Sequence, residues 1–218
     1  MKLNFKIWVV VGTRPEVIKQ VPLYRALVKK MGKQNVGLIG TGQHRELLDQ
    51  ALAHFGEKLD VNLELMQAGQ SLGATAARVL TKIDEIVVAS KPEMLIVQGD
   101  TTTAAMTAVA GFHNGIKVVH NEAGLRTYDL QNPYPEEANR KWIGVVADIH
   151  FPPTVVARDA LIKEGVDPSR VHVVGNTGID ALMWTLKEKK CPDETAGLIS
   201  GWKARGLKPV LVTAHRRE

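Results

Sequence analysis

"FKIWVVVGTRPEVIKQVPLYRALVKK", from Phe5 to Lys30, decides the fold. Phe5 to Val11 is an almost unbroken apolar run, the pattern of a strand covered on both faces. Gly12 permits a tight turn, and Pro15 suits the first turn of a helix. Beyond it Val17, Val21, Tyr24, Leu27 and Val28 recur near helical spacing. Strand, glycine turn and amphipathic helix in that order make the repeating unit of a parallel sheet.

The same rhythm continues outward. Strands are expected at Val36 to Thr41, Met94 to Val97, Lys117 to His120, Ala147 to Phe151 and Val171 to Val174. Helical patterns alternate with them: "HRELLDQALAHF", Ser71 to about Ser90, "TTTAAMTAVAGFHN", Glu136 to Val146, "TVVARDALIKEG" and "TGIDALMWTLKEK". Ser71 is placed to cap its helix, and Gly165 to end another. Alternation of this kind predicts an α/β fold, a Rossmann-like doubly wound parallel sheet with helices on both faces. This domain is expected over residues 1–186. Charge and proline in "KEKKCPDETAG" mark residues 187–197 as a linker. A short helix near Ala196 to Ala204 and an apolar strand, "KPVLVTAH", would then open a second, incomplete Rossmann-like domain over residues 198–218.

Composition narrows the function classes. The chain has 218 residues, of which 44% are hydrophobic and 5% aromatic, with 28 basic against 23 acidic residues and a net charge of +5. The surplus is spread thinly, which favours a small anionic ligand over nucleic acid, and aromatics are too sparse for a base-stacking platform. The single cysteine, Cys191, excludes an intrachain disulfide, and cytoplasm is the expected location. No apolar run is long enough to span a bilayer, so membrane insertion is not expected. The histidines form no zinc pattern, and the absence of G-x-G-x-x-G spacing disfavours NAD.

The polar motifs fall after the expected strands, where open parallel sheets bind their ligands. They are "GTRPE" (Gly12 to Glu16), "GTGQHRE", "QGDTTT" (Gln98 to Thr103), "NEAGLRT" (Asn121 to Thr127), "GNTGID" (Gly175 to Asp180) and "TAHRRE" (Thr213 to Glu218). Arg14 at a helix start, with Lys19 about a turn along, makes a seat for phosphate or carboxylate; a solvent-exposed arginine is the plainer reading. In "QGDTTT", Asp100 or Thr101 serves equally as a helix cap. Harder to explain blandly is "HNEAGLRTYDLQNPYPEEANR", His120 to Arg140, a long connector crowded with polar groups. Asp100, Glu122 and Glu136 all lie at strand ends and would converge in one cleft. Mutual repulsion would raise the proton affinity of at least one, producing a general acid beside a bound anion.

With these residues in hand, the sequence resembles the non-hydrolysing UDP-N-acetylglucosamine 2-epimerases. The likeness is carried by "GTRPEVIKQVPL", "TGQHRELLDQ", "QGDTTTAAMTA", "NEAGLRTYDLQNPYPEEANR", "ADIHFPPT", "GNTGIDAL" and "TAHRRE", in family order over essentially the whole chain. It implies the GT-B arrangement of two Rossmann-like domains, with the active site between them. It also implies interconversion of UDP-GlcNAc and UDP-ManNAc through anti elimination of UDP and a 2-acetamidoglucal intermediate, without cofactor or metal. By motif position Asp100, Glu122 and Glu136 match the acid–base carboxylates, and His215 matches a catalytic histidine near the diphosphate. Arg14 and Lys19 match substrate-binding positions. Gln43 and Glu136 match a second, regulatory UDP-GlcNAc site.

The resemblance further implies a homodimer supplying envelope polysaccharide precursors. Departures are Gln98 where members often have His, Asn121 where they often have Val, and Gly69 where some have Arg. Family members run well beyond Glu218, so the 218 residues alone are expected to bind UDP-GlcNAc weakly and turn over little. A hydrolysing epimerase or glycosyltransferase on the same scaffold, and a nucleotide-sugar-binding fragment or paralogue, are the alternatives.

Overall fold

The computed structural model describes residues 1–42, 45–65 and 69–212. By contact density these fall into two compact units, residues 1–181 and, beyond them, from residue 182.

The first unit is built on six strands: Ile7–Val11 (β1), Val36–Gly40 (β2), Val61–Asn62 (β3), Met94–Gln98 (β4), Lys117–Asn121 (β5) and Ile149–Phe151 (β6). All pair in parallel, in the order β3-β2-β1-β4-β5-β6. In register, Val9 lies between Leu38 and Ile96. Every residue of β1 is buried, as its apolar run requires of a central strand. The connecting helices are Arg14–Met31 (α1), Arg45–Phe55 (α2), Leu72–Ser90 (α3), Thr102–His113 (α4), Glu136–Val146 (α5), Val155–Lys163 (α6) and Thr177–Glu188 (α7).

By register Trp8, Val10, Ile39, Leu95, Val97 and Val118 share one face of the sheet, which packs against helices in two clusters. One joins Trp8, Val10, Ile39 and Leu95 to Val79, Ile83 and Ile86 of α3. Another joins Val97 and Val118 to Ala104, Ala105 and Ala108 of α4 and Ile143 of α5. Helix starts are locally encoded. Thr13, Ser71, Thr101 and Thr154 each accept a bond from the backbone N–H three residues on. Gly165, after α6, adopts φ +92.

Three expectations are corrected. Val171 to Val174 is not a strand: only Val171 forms a bridge, to His150, and Val173 and Val174 stay exposed. The helix expected near Ala196 to Ala204 begins earlier, inside residues 187–197. It spans Asp193–Ala204 (α8), and α7 before it runs to Glu188. Lys208 to Val212 forms no strand, and Val210, Leu211 and Val212 are exposed; the rest of "KPVLVTAH" lies outside the described residues. The His172 N–H donates to the His150 carbonyl at 2.9 Å and the Val174 N–H to the Pro152 carbonyl at 3.2 Å, so the first of these segments lies beside β6 without completing a ladder.

Candidate active site

The strand order reverses between β1 and β4, where β2 and β3 lead one way and β5 and β6 the other. Such a switch point opens a crevice at the carboxyl ends of the strands. The loops after β1, β4 and β5 meet there.

The loop after β1 closes on itself. Thr13 caps α1, and Glu16 turns back to accept from the Gly12 N–H at 2.6 Å and the Thr13 N–H at 2.7 Å. This capping box fills part of the anion seat expected around Arg14, whose side chain points to solvent. Across the switch point the Thr101 hydroxyl donates to Glu16 Oε1 at 2.8 Å, tying the β1 and β4 loops together. Burial pushes the Glu16 carboxyl above its ordinary proton affinity, against the bonds from Thr101, Gly12 and Thr13 that lower it. The T-x-x-E spacing of Thr13 and Glu16 is legible in the sequence, although its contact with Thr101 is not.

Lys19 sits about one turn into α1 and reaches Glu122, its Nζ lying 2.7 Å from Oε1 and 2.6 Å from Oε2. The Gln98 side-chain amide, at the end of β4, donates to Glu122 Oε2 as well. Glu122 holds a left-handed backbone, φ 62, which is uncommon outside glycine and concentrates at functional sites. Two residues on, Gly124 has φ +83, and a Cβ there would stand 2.1 Å from the Ala157 carbonyl oxygen. Only glycine lets this loop pack against α6. Beneath it, His120 is fully buried and donates from Nε2 to the Gly99 carbonyl at 2.7 Å. Burial lowers its pKa to about 3, so the ring stays neutral. At the far side, Asn121 Nδ2 is 3.3 Å from both Gln20 Oε1 and Thr177 Oγ1, which brings the "GNTGID" turn to the same crevice.

Thr101, not Asp100, caps α4, accepting from the Ala104 N–H at 3.0 Å. That leaves the Asp100 side chain for other contacts, and Arg140 supplies them at 2.9 Å from Nε and 2.6 Å from Nη2. Asp100 and Glu136 line one cavity of about 300 Å³, together with Thr75, Thr101, Thr102, Thr103 and Asn139. Glu136 is the first residue of α5, where the helix dipole favours negative charge. Its neighbour Glu137 is buried and accepts from the Tyr128 N–H at 3.0 Å and from Arg140 Nη1 at 3.1 Å. Burial opposes its charge, but bonds from the Thr127 and Tyr128 backbone and from Arg140 outweigh it and hold the carboxyl below its ordinary value.

The expected convergence therefore has this form: Asp100 and Glu136 share a cavity, and Glu122 lies at the adjoining strand end, 3.7 Å from where a Cβ on Gly99 would stand. Cations stand against two of these carboxylates, Lys19 against Glu122 and Arg140 against Asp100. Gln43 and His215 lie outside the described residues. Asn139 and Arg140 were not singled out from sequence, and Gln98 only as a departure from the family pattern, although the three-residue spacing of Glu137 and Arg140 is a readable helical pair.

A parallel α/β sheet in Rossmann order, with its polar groups gathered at the switch point, places the chain among the doubly wound α/β proteins. Comparison narrows the class. The family profile for UDP-N-acetylglucosamine 2-epimerase matches residues 27–218. A curated UDP-N-acetylglucosamine 2-epimerase from Campylobacter jejuni is 44% identical over 220 residues, covering 98% of this chain and 57% of the relative. The protein of the same description from Escherichia coli K12 is 43% identical over 216 residues, with the same two coverages of 98% and 57%. The crystal structure of UDP-GlcNAc 2-epimerase from Neisseria meningitidis bound to UDP-GlcNAc superposes with a TM-score of 0.83 at 38% identity, covering 92% of this chain and 54% of that one. The chain belongs to the UDP-N-acetylglucosamine 2-epimerase family, and it spans 57% of the length of these curated relatives.

Proposed function

We propose that this chain forms the sugar-facing part of an enzyme that interconverts UDP-GlcNAc and UDP-ManNAc. The observation that carries this reading is the shared cavity of Asp100 and Glu136 beside Glu122, which Lys19 and Gln98 hold at the neighbouring strand end. The C2–H of the sugar is not acidic by itself, because no ring carbonyl adjoins it. As the C1–O bond to UDP lengthens, oxocarbenium-like charge grows at C1 and acidifies the neighbouring C–H. One carboxylate then takes the C2 proton, the C1–O bond breaks, and 2-acetamidoglucal and UDP remain. A second acid–base group returns a proton to the opposite face of C2, and UDP re-adds at C1. In this reading Glu122 and Glu136 serve the two faces, with Asp100 as the third acid–base group. Arg14, Lys19 and His215 receive the diphosphate, whose departing charge calls for cations and helix N–H groups. The electron flow stays within the substrate, so the chemistry calls for neither NAD nor a metal ion.

The same reading makes residues 198–218 the opening of a second Rossmann-like domain in a GT-B arrangement. It takes Gln43 with Glu136 as a regulatory UDP-GlcNAc site, and the working protein as a cytoplasmic homodimer supplying envelope polysaccharides. Among the described residues no helix is long and apolar enough to cross a membrane. In the full-length protein, Glu122→Gln and Glu136→Gln should each abolish exchange of the C2 proton with solvent deuterium, followed by NMR. Near-normal exchange in both variants removes them from proton transfer. Release of free ManNAc and UDP, in place of UDP-ManNAc, would instead assign hydrolysing chemistry.

A further inference from the structure

We propose that Arg140 is a positioning residue that fixes which oxygen of Asp100 exchanges a proton; the inference rests on the acid–base role proposed for Asp100. Arg140 spends two of its three nitrogens on one atom, with Nε 2.9 Å and Nη2 2.6 Å from Asp100 Oδ2. Among the described residues Oδ1 receives no hydrogen bond. A carboxylate gripped in this way cannot spin about its Cβ–Cγ bond without breaking two charge-assisted bonds, so proton exchange falls to Oδ1.

The grip is itself braced. Arg140 Nη1 bonds Glu137 Oε2 at 3.1 Å, and Glu137 is fully buried and tied through Oε1 to the Tyr128 backbone. The Asn139 amide also donates to the Asp100 backbone carbonyl at 2.9 Å, which holds the main chain as well as the side chain. Glu136, Glu137, Asn139 and Arg140 are all on α5. One helix therefore carries a cavity carboxylate, the guanidinium that orients the carboxylate facing it, and the buried acid that steadies that guanidinium. Their relative placement is rigid because it is set within five residues of one helix.

The need is for geometry more than charge. Lysine would keep the positive charge but present a single ammonium in place of the planar fork. In the full-length protein, Arg140→Lys should lower kcat by about 10–100-fold, the scale of an ångström-level misplacement, with KM for UDP-GlcNAc changed less than about threefold. Glu137→Gln leaves Arg140 in place but weakens its brace. It should lower kcat by a smaller factor, and the double variant should be no slower than Arg140→Lys alone, since both act through one chain of contacts. Wild-type kcat in Arg140→Lys overturns the proposal. So does a fall in kcat and rise in KM that track lost thermal stability in both single variants, which would mark a purely structural role. Asp100→Asn separates the two levels: normal C2 proton exchange in that variant defeats the acid–base assignment, whereas abolished exchange with a fully active Arg140→Lys defeats only the positioning role.

Discussion

Acidification should destabilise the first unit through His120, and the size of the effect follows from its burial. The ring is fully buried, its Nε2 donates to the Gly99 carbonyl, and burial holds its pKa at about 3 against an ordinary 6.5. A group with a depressed cationic pKa binds fewer protons in the folded state than in the unfolded state. Stability is therefore complete above pH 6.5 and is lost as pH falls from 6.5 towards 3. Between pH 7 and pH 5 the unfolded ring gains most of a proton that the folded ring refuses, which costs roughly 2 kcal/mol at ~1.4 kcal/mol per pH unit. His150, also buried with its pKa lowered to about 4, acts in the same direction. Glu16 acts in the opposite direction, because its folded proton affinity is raised and acid relieves the cost of burying its charge. The contribution of His120 alone comes from comparison with His120→Gln, whose amide can still donate towards Gly99 but does not titrate. Urea unfolding of both proteins at pH 7, 6 and 5 gives the two slopes. The wild type should lose roughly 2 kcal/mol more than the variant over that interval. Parallel pH profiles would refute the argument, as would an NMR titration showing the His120 ring protonated at pH 5.

Two further outcomes test the packing beneath the site. Gly124→Ala forces a Cβ to 2.1 Å from the Ala157 carbonyl oxygen at φ +83, so it should lower Tm by roughly 5–10 °C; a change within about 2 °C would show that the loop yields freely. Thr101→Ala removes both the α4 cap and the donor to Glu16 Oε1, and should cost about 1–2 kcal/mol in urea unfolding, with Thr101→Ser recovering most of the loss.

Much of this protein was legible before any coordinates. Alternation of apolar runs with amphipathic stretches gave the α/β class, Ser71 its capping role and Glu136 to Val146 its helix, because periodicity and caps act over a few neighbouring residues. The catalytic candidates were legible too, since "QGDTTT", "NEAGLRT" and "PYPEEANR" follow strands or open helices. Local pattern failed where an element depends on a partner. Val171 to Val174 is apolar enough for a strand yet makes a single bridge beside β6, and Lys208 to Val212 forms no strand, whereas Val61–Asn62 is a strand too short to announce itself.

Tertiary structure alone decided which charges meet. Lys19 reaches Glu122 across 103 positions of sequence, and Thr101 reaches Glu16 across 85. Arg140 finds Asp100 across 40. These pairs exist because β1 lies beside β4 and β4 beside β5, an order that follows from burying both faces of one sheet. A local sequence motif can specify a carboxylate at a strand end. Only the packed sheet chooses the cation that stands against it.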